Sequence, residues 1–355
     1  MAVAEAPVAV VVVVADRAAP RLEARTISRA ILSKELKMFP SSRYAQPSLV
    51  RRLAAASLVA LLVGAVGSAA AAATAKQRSF ASPEEAVQAL VAAAKAGDLK
   101  ALNAILGPEG RPLISSGDAV ADKQARQLFV EEYEQANKLE KAGEAKVVLS
   151  VGNDDWPLPI PVVKQGETWR FDTAAGKEEV LNRRIGRNEL SVIEVCQAYV
   201  DAQREYARVD RDGDGIREYA RKFASDKGKH NGLYWETKEG EAESPLGPAV
   251  VRARAEGYTR KKGGGPTPYH GYYYRILTAQ GPDAPDGARD YIVQGKMRGG
   301  FAMVAYPAQY GVSGVTTFIV NQDGIVYQKD LGPNTAKLAR AMKAYNPDAT
   351  WKKAE

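Results

Sequence analysis

The chain has 355 residues, 45% of them hydrophobic, which is enough for one large domain or two ordinary ones. Its formal charge of +7 is concentrated at the front: residues 1–75 hold nine of the 49 Lys/Arg and four of the 42 Asp/Glu, leaving 40 basic and 38 acidic side chains that nearly cancel. The folded part therefore has no overall field to steer it to nucleic acid, and a single cysteine, Cys196, excludes an internal disulfide framework and a thiolate metal cluster.

The front of the chain reads as a secretory signal. Arg51 and Arg52 flank the uncharged apolar run LAAASLVALLVGAV (53–66), and ATA (73–75) sets small residues at a cleavage point near Ala75. The run is shorter than the ~20 apolar residues that cross a bilayer, so the mature chain is expected to have no stable membrane insertion and to be periplasmic or secreted. Glu5, Asp16, Glu23 and Glu35 do not suit a signal, whereas Met38 opens a suitable one. Translation is expected to start at Met38, with 1–37 an upstream misannotated segment and 38–75 the signal peptide.

Ser82, Pro83 and Glu85 form a capping box for a first helix with Val87, Leu90, Val91 and Ala94 on one face. Gly97 stops it, and Asp98 opens a short helix carrying Leu99, Leu102, Ile105 and Leu106. A third helix is expected over 119–139, with Leu128, Phe129, Tyr133 and Ala136 inward. The period then changes to strands at 145–151, 158–164 and 168–173. Helices followed by a curved sheet make an α+β cone over 76–175. It resembles the nuclear-transport-factor-2-like and cystatin-like folds.

A long helix is expected over 176–209, with Val192, Val195, Cys196, Tyr199 and Tyr206 on one stripe. A helical turn at 217–223 and a short helix at 246–256 follow. The basic Gly-rich loop in YTRKKGGGPTPYHG has no strand–GxxxxGK[ST]–helix order around it, so it is no phosphate cradle. Strands at 272–277, 290–295, 300–307, 315–321 and 324–330 make an antiparallel meander, closed by a helix to about Tyr345 and a tail over 346–355. The fold class is thus α+β: the cone, then a 176–345 domain in which a long helix backs a meander.

VDRDGDGIREYARKF (209–223) carries the richest chemistry. Asp210, Asp212 and Asp214 stand at positions 1, 3 and 5 of a calcium loop, with Gly215 at 6 and Glu218 at 9. Position 12, which should be a bidentate Glu, is Arg221. The pattern favours a turn in which Gly213 and Gly215 are left-handed and the aspartates bond local amides. Weak or partial calcium binding by Asp210, Asp212, Asp214 and Glu218 stays open, and no other cofactor is expected.

Other reactive groups read as structural. Cys196 suits a buried helix face and has no local base. His230 and His270 lack the spacing of a zinc pair. Asp154 and Asp155 beside Trp156 suit a hairpin turn, because neighbours on a strand diverge. Ser313 in GVSGV is no nucleophile elbow and suits a turn. In Tyr272, Tyr273 and Tyr274, alternation sends the middle ring away from the other two.

Several long segments carry a resemblance in order: SPEEAVQALVAAAKAGD, VGNDDWPLPIPVVKQGETWRFDTAAGKEEVLNRRIGRNEL, KGKHNGLYW and FAMVAYPAQYGVSGVTTFIVNQDGIVYQKDLGP. Over about 79–350 the chain resembles the bacterial domain-of-unknown-function family 2950. That implies export and supplies no catalytic residues. Residues 186–340 loosely resemble pilin-like and pseudopilin-like globular domains, although the charged start GKEEVLNRRIGRNE cannot pack into a pilus. The function expected is an exported, non-catalytic binding or structural module of the cell envelope, with an unknown envelope partner or small ligand. The alternative is a small-ligand-binding protein or enzyme using a pocket in the cone.

Overall fold

The computed structural model describes residues 76–259 and 266–354. The expected upstream segment 1–37, the expected signal peptide 38–75 and the Gly-rich basic loop over 260–265 lie outside the described residues. Seven α-helices and mainly antiparallel sheets make the described part α+β.

Helix α1 (Pro83–Ala96) begins as its sequence dictates. Ser82 Oγ accepts from the Glu85 amide at 3.1 Å, and Glu85 Oε2 accepts from the Ala81 amide at 3.0 Å. Gly97 ends it in the left-handed conformation, with φ 66°. Asp98 caps α2 (Leu99–Leu106), and α3 (Arg111–Ile114) follows. The helix expected over 119–139 is α4 (Ala119–Gln135), and Leu128 on it faces solvent rather than the core, 47% exposed. The chain turns extended at Ala136 and forms β1 (Asn137–Lys141), a strand that its charged sequence conceals.

β1 pairs with β2 (Lys146–Val151), which also holds the short β3 (Trp156–Pro157). β4 (Val162–Gln165) and β5 (Thr168–Phe171) complete the sheet in the order β1-β2-β4-β5. Its inner face meets α1 and α2 in one hydrophobic cluster around Phe80, Leu90, Ile105, Leu149, Val162 and Phe171. Each such side chain contributes about 1.5–3 kcal/mol by leaving water.

Helix α5 (Thr173–Tyr206) starts earlier than expected because Asp172 caps it. Its 34 residues span about 50 Å. Gly176 is required by packing: a Cβ there would lie 2.3 Å from the Pro159 carbonyl oxygen. Val180 packs on the first cluster, and the expected stripe Val192, Val195, Cys196, Tyr199 and Tyr206 is buried in a second.

The helical turn expected at 217–223 does not form. Gln203, fully buried, takes both backbone groups of Ala220: its Nε2 donates to the carbonyl and its Oε1 accepts from the amide, each at 2.8 Å. A backbone held by a side chain in this way has no helical partner to seek.

After α6 (Gly247–Ala255) come β6 (Tyr272–Leu277), β7 (Ala279–Gln280), β8 (Arg289–Asp290), β9 (Ile292–Val293), β10 (Lys296–Met297), β11 (Ala302–Pro307), β12 (Thr316–Asn321), β13 (Tyr327–Asp330), α7 (Thr335–Ala341), β14 (Ala344–Tyr345) and β15 (Lys352–Lys353). The single strand expected over 290–295 is broken. Gln294 and Gly295 have φ of 53° and 78°, which reverses the chain so that β10 pairs back on β9. The main sheet runs β15-β13-β12-β11-β6, so residues expected as a tail return to it as an edge strand.

All six residues of β11 are buried because helices cover both faces of this sheet. On one face, the Tyr199 hydroxyl of α5 donates to the Ala302 carbonyl at 3.1 Å. On the other, Arg275 reaches the end of α7, donating to the carbonyls of Ala339 (2.7 Å) and of its C-cap Met342. α7 ends short of Tyr345 because Met342 is extended and Tyr345 pairs with Gln280.

All described residues belong to one compact unit. Its two hydrophobic clusters share α5, and Asp118 ties α4, whose Val130 lies in the first cluster, to Tyr258 of the second. This buried carboxylate caps α4 through the Val120 and Ala121 amides, and its other oxygen accepts from the Tyr258 hydroxyl at 3.0 Å and the Gly271 amide at 2.9 Å.

Candidate functional site

The aspartate loop follows the end of α5, and its glycines shape it. Gly213 and Gly215 have φ of 75° and 84°, conformations that side-chain-bearing residues rarely adopt. Asp210 Oδ1 accepts from the Gly213 amide at 2.9 Å and its Oδ2 from the Gly215 amide at 2.7 Å. These amide bonds hold the Asp210 carboxyl below the usual carboxylate range. Asp214 Oδ1 accepts from the Ile216 amide at 2.9 Å. The loop is the left-handed turn that its sequence describes.

The turn also gathers its carboxylates. Ligand oxygens of Asp210, Asp212 and Asp214 lie within 4.8 Å of one another. A lysine far along the chain enters this group. Lys296 Nζ sits 2.8 Å from Asp212, 2.5 Å from Asp214 and 3.7 Å from Glu218. The hydrogen bonds it donates to Asp212 and Asp214 raise its pKa, and the ammonium in turn lowers that of Asp214. Arg221, at the place of the bidentate Glu, donates to the Gly295 carbonyl at 3.2 Å. Arg211 lies over the rings of Tyr206 (5.1 Å) and Trp235 (4.9 Å), anchoring the start of the loop.

The other reactive side chains are engaged elsewhere. Cys196 is fully buried, and burial pushes its thiol pKa up, away from the thiolate a nucleophile needs. The His230 ring stacks on Trp235 at 4.4 Å. His270 is left-handed, with φ 48°, and packs on Tyr269 at 4.0 Å; burial lowers its pKa to about 4. Asp155 pairs with Lys138 at 3.1 Å, and Arg183 covers Trp156 at 4.7 Å. Ser313 Oγ accepts from the Gln309 amide at 3.0 Å, the turn role expected of it. Tyr272 and Tyr274 are buried and Tyr273 half-buried, as alternation requires.

Three structural residues escaped the sequence reading. Gln203 is spaced i, i+4 from Tyr199 and belongs to its face, so the helical period carried that signal. Glu189 accepts from the Val315 and Thr316 amides at 3.0 and 2.9 Å, joining α5 to the start of β12. Lys296 had no local signal, because its partners lie some 80 residues earlier.

An α+β unit with a charged loop and internally engaged histidines and cysteine defines a structural class without naming an activity. The chain belongs to the family described as Protein of unknown function (DUF2950), which matches residues 77–354. No curated protein and no solved structure matches it.

Proposed function

We propose that this chain is an exported, non-catalytic binding or structural module of the cell envelope. One observation carries the non-catalytic part: Cys196, His230, His270 and the loop carboxylates are each engaged in packing or internal pairing. Export rests on the leader: the apolar run over 53–66 behind Arg51 and Arg52, and the small residues at 73–75. The described residues form one compact unit built on two hydrophobic clusters, and α5 serves both.

The alternative, a small-ligand carrier or enzyme working through the cone, has less support. Phe80, Leu90, Leu149 and Phe171 pack the interior that a ligand would occupy, and Trp169 lies half-buried against them. Affinity capture from envelope fractions separates the two. Repeated recovery of one partner, lost on competition with untagged protein, is the expected result. Absence of any partner, with a small molecule carried on the purified protein in native mass spectrometry, would favour the alternative.

A further inference from the structure

We propose that Lys296 is the resident cation of the aspartate loop, an ammonium delivered by the β9–β10 hairpin that holds the loop closed in place of a divalent ion. Asp210, Asp212, Asp214 and Glu218 bring four carboxylates into nine residues. In calcium loops of this spacing, an ion with six to eight oxygen ligands balances such a charge. Here Lys296 Nζ reaches three of the four side chains, at 2.5 to 3.7 Å. Its side chain is 18% exposed, against 53% for Asp212, so the ammonium lies on the inner side of the loop with carboxylates around it.

The delivery is built into the backbone. Gln294 and Gly295, both left-handed, form a two-residue hairpin turn that sets Lys296 opposite Val293. The Tyr219 amide donates to the Met297 carbonyl at 2.8 Å, and Arg221 donates to the Gly295 carbonyl. Both residues flanking Lys296 are therefore tied to the segment that follows the loop. Arg221 stands where a calcium loop has its bidentate Glu, which weakens the hold on a divalent ion, and it grips the hairpin that brings the substitute charge. An exposed ion pair between two flexible side chains gains little, because ordering them offsets the attraction. A hairpin-held ammonium meeting two acceptors and a third carboxylate at 3.7 Å has less freedom to lose.

The loop should therefore stay ordered whatever the calcium level. The test is calorimetric titration of the purified protein with calcium chloride, and its melting in EDTA and in calcium, beside K296M and K296R. The wild type and K296R should give no binding heat and the same melting temperature in both media. In EDTA, K296M should melt lower than the wild type and K296R. Calcium should restore it, with a binding heat that the wild type does not give. Wild-type protein that binds calcium as tightly as K296M overturns the proposal. So does a K296M protein whose folding or melting is the same with and without calcium.

Discussion

His270 shows how burial decides the state of a titrating group. Its imidazole lies against Tyr269 and near Tyr258, and loss of water disfavours its charged form. With its pKa lowered from the ordinary 6.5 to about 4, the unfolded chain takes up this proton first as pH falls. Stability is therefore full above about 6.5 and declines as pH falls towards 4, by at most ~3 kcal/mol. Asp210 and Asp214, held below the usual carboxylate range, add a further loss on stronger acidification. His270→Asn keeps a side chain that tolerates the left-handed backbone. Denaturant melts from pH 7 to 4 should show a flatter profile for this variant than for the wild type, even if its stability at pH 7 is lower. An unchanged slope would place the proton uptake elsewhere.

At the scale of elements, what the sequence revealed and what it hid have separate causes. Capping and periodicity are local, so α1, the α5 stripe and the turn at Gly213 and Gly215 were legible from neighbouring residues. The broken strand near 290 and the missing helical turn near 220 were not. Each depends on a group distant in sequence or on a backbone geometry that side-chain patterning does not encode: Gln203 for Ala220, and two left-handed residues for the hairpin. The candidate site divides in the same way. The spacing of Asp210, Asp212, Asp214 and Glu218 announced a cluster of negative charge, whereas Lys296 enters only through tertiary folding. Packing between elements gives its own prediction. Gly176→Ala forces a methyl group against the Pro159 carbonyl, and α5 must shift from the first sheet. A loss of about 1–3 kcal/mol is expected in chemical denaturation, despite the better helix propensity of alanine. A stabilised variant would mean that this contact is looser than the structure shows.

Across the whole molecule, two hydrophobic clusters are held as one unit by a shared helix and a buried carboxylate. Asp118 joins the start of α4 to Tyr258 and Gly271, groups some 140–153 residues away. Asp118→Ala removes a helix cap and leaves a buried hydroxyl and amide without their acceptor, at a cost of about 2–4 kcal/mol. Fluorescence and circular dichroism should report one coincident unfolding transition in the wild type, moved to lower denaturant in the variant. Two separated wild-type transitions would mean that the clusters fold independently.

The proposal as a whole turns on passage out of the cytoplasm followed by folding without sulfur bridges. Cell fractionation of the expressed full-length chain, with mass spectrometry of its intact N-terminus, tests this most directly. The account predicts a polypeptide beginning near Lys76 in the periplasm or medium. A chain that keeps residues 53–66 and stays in the cytoplasm or membrane fraction would contradict it.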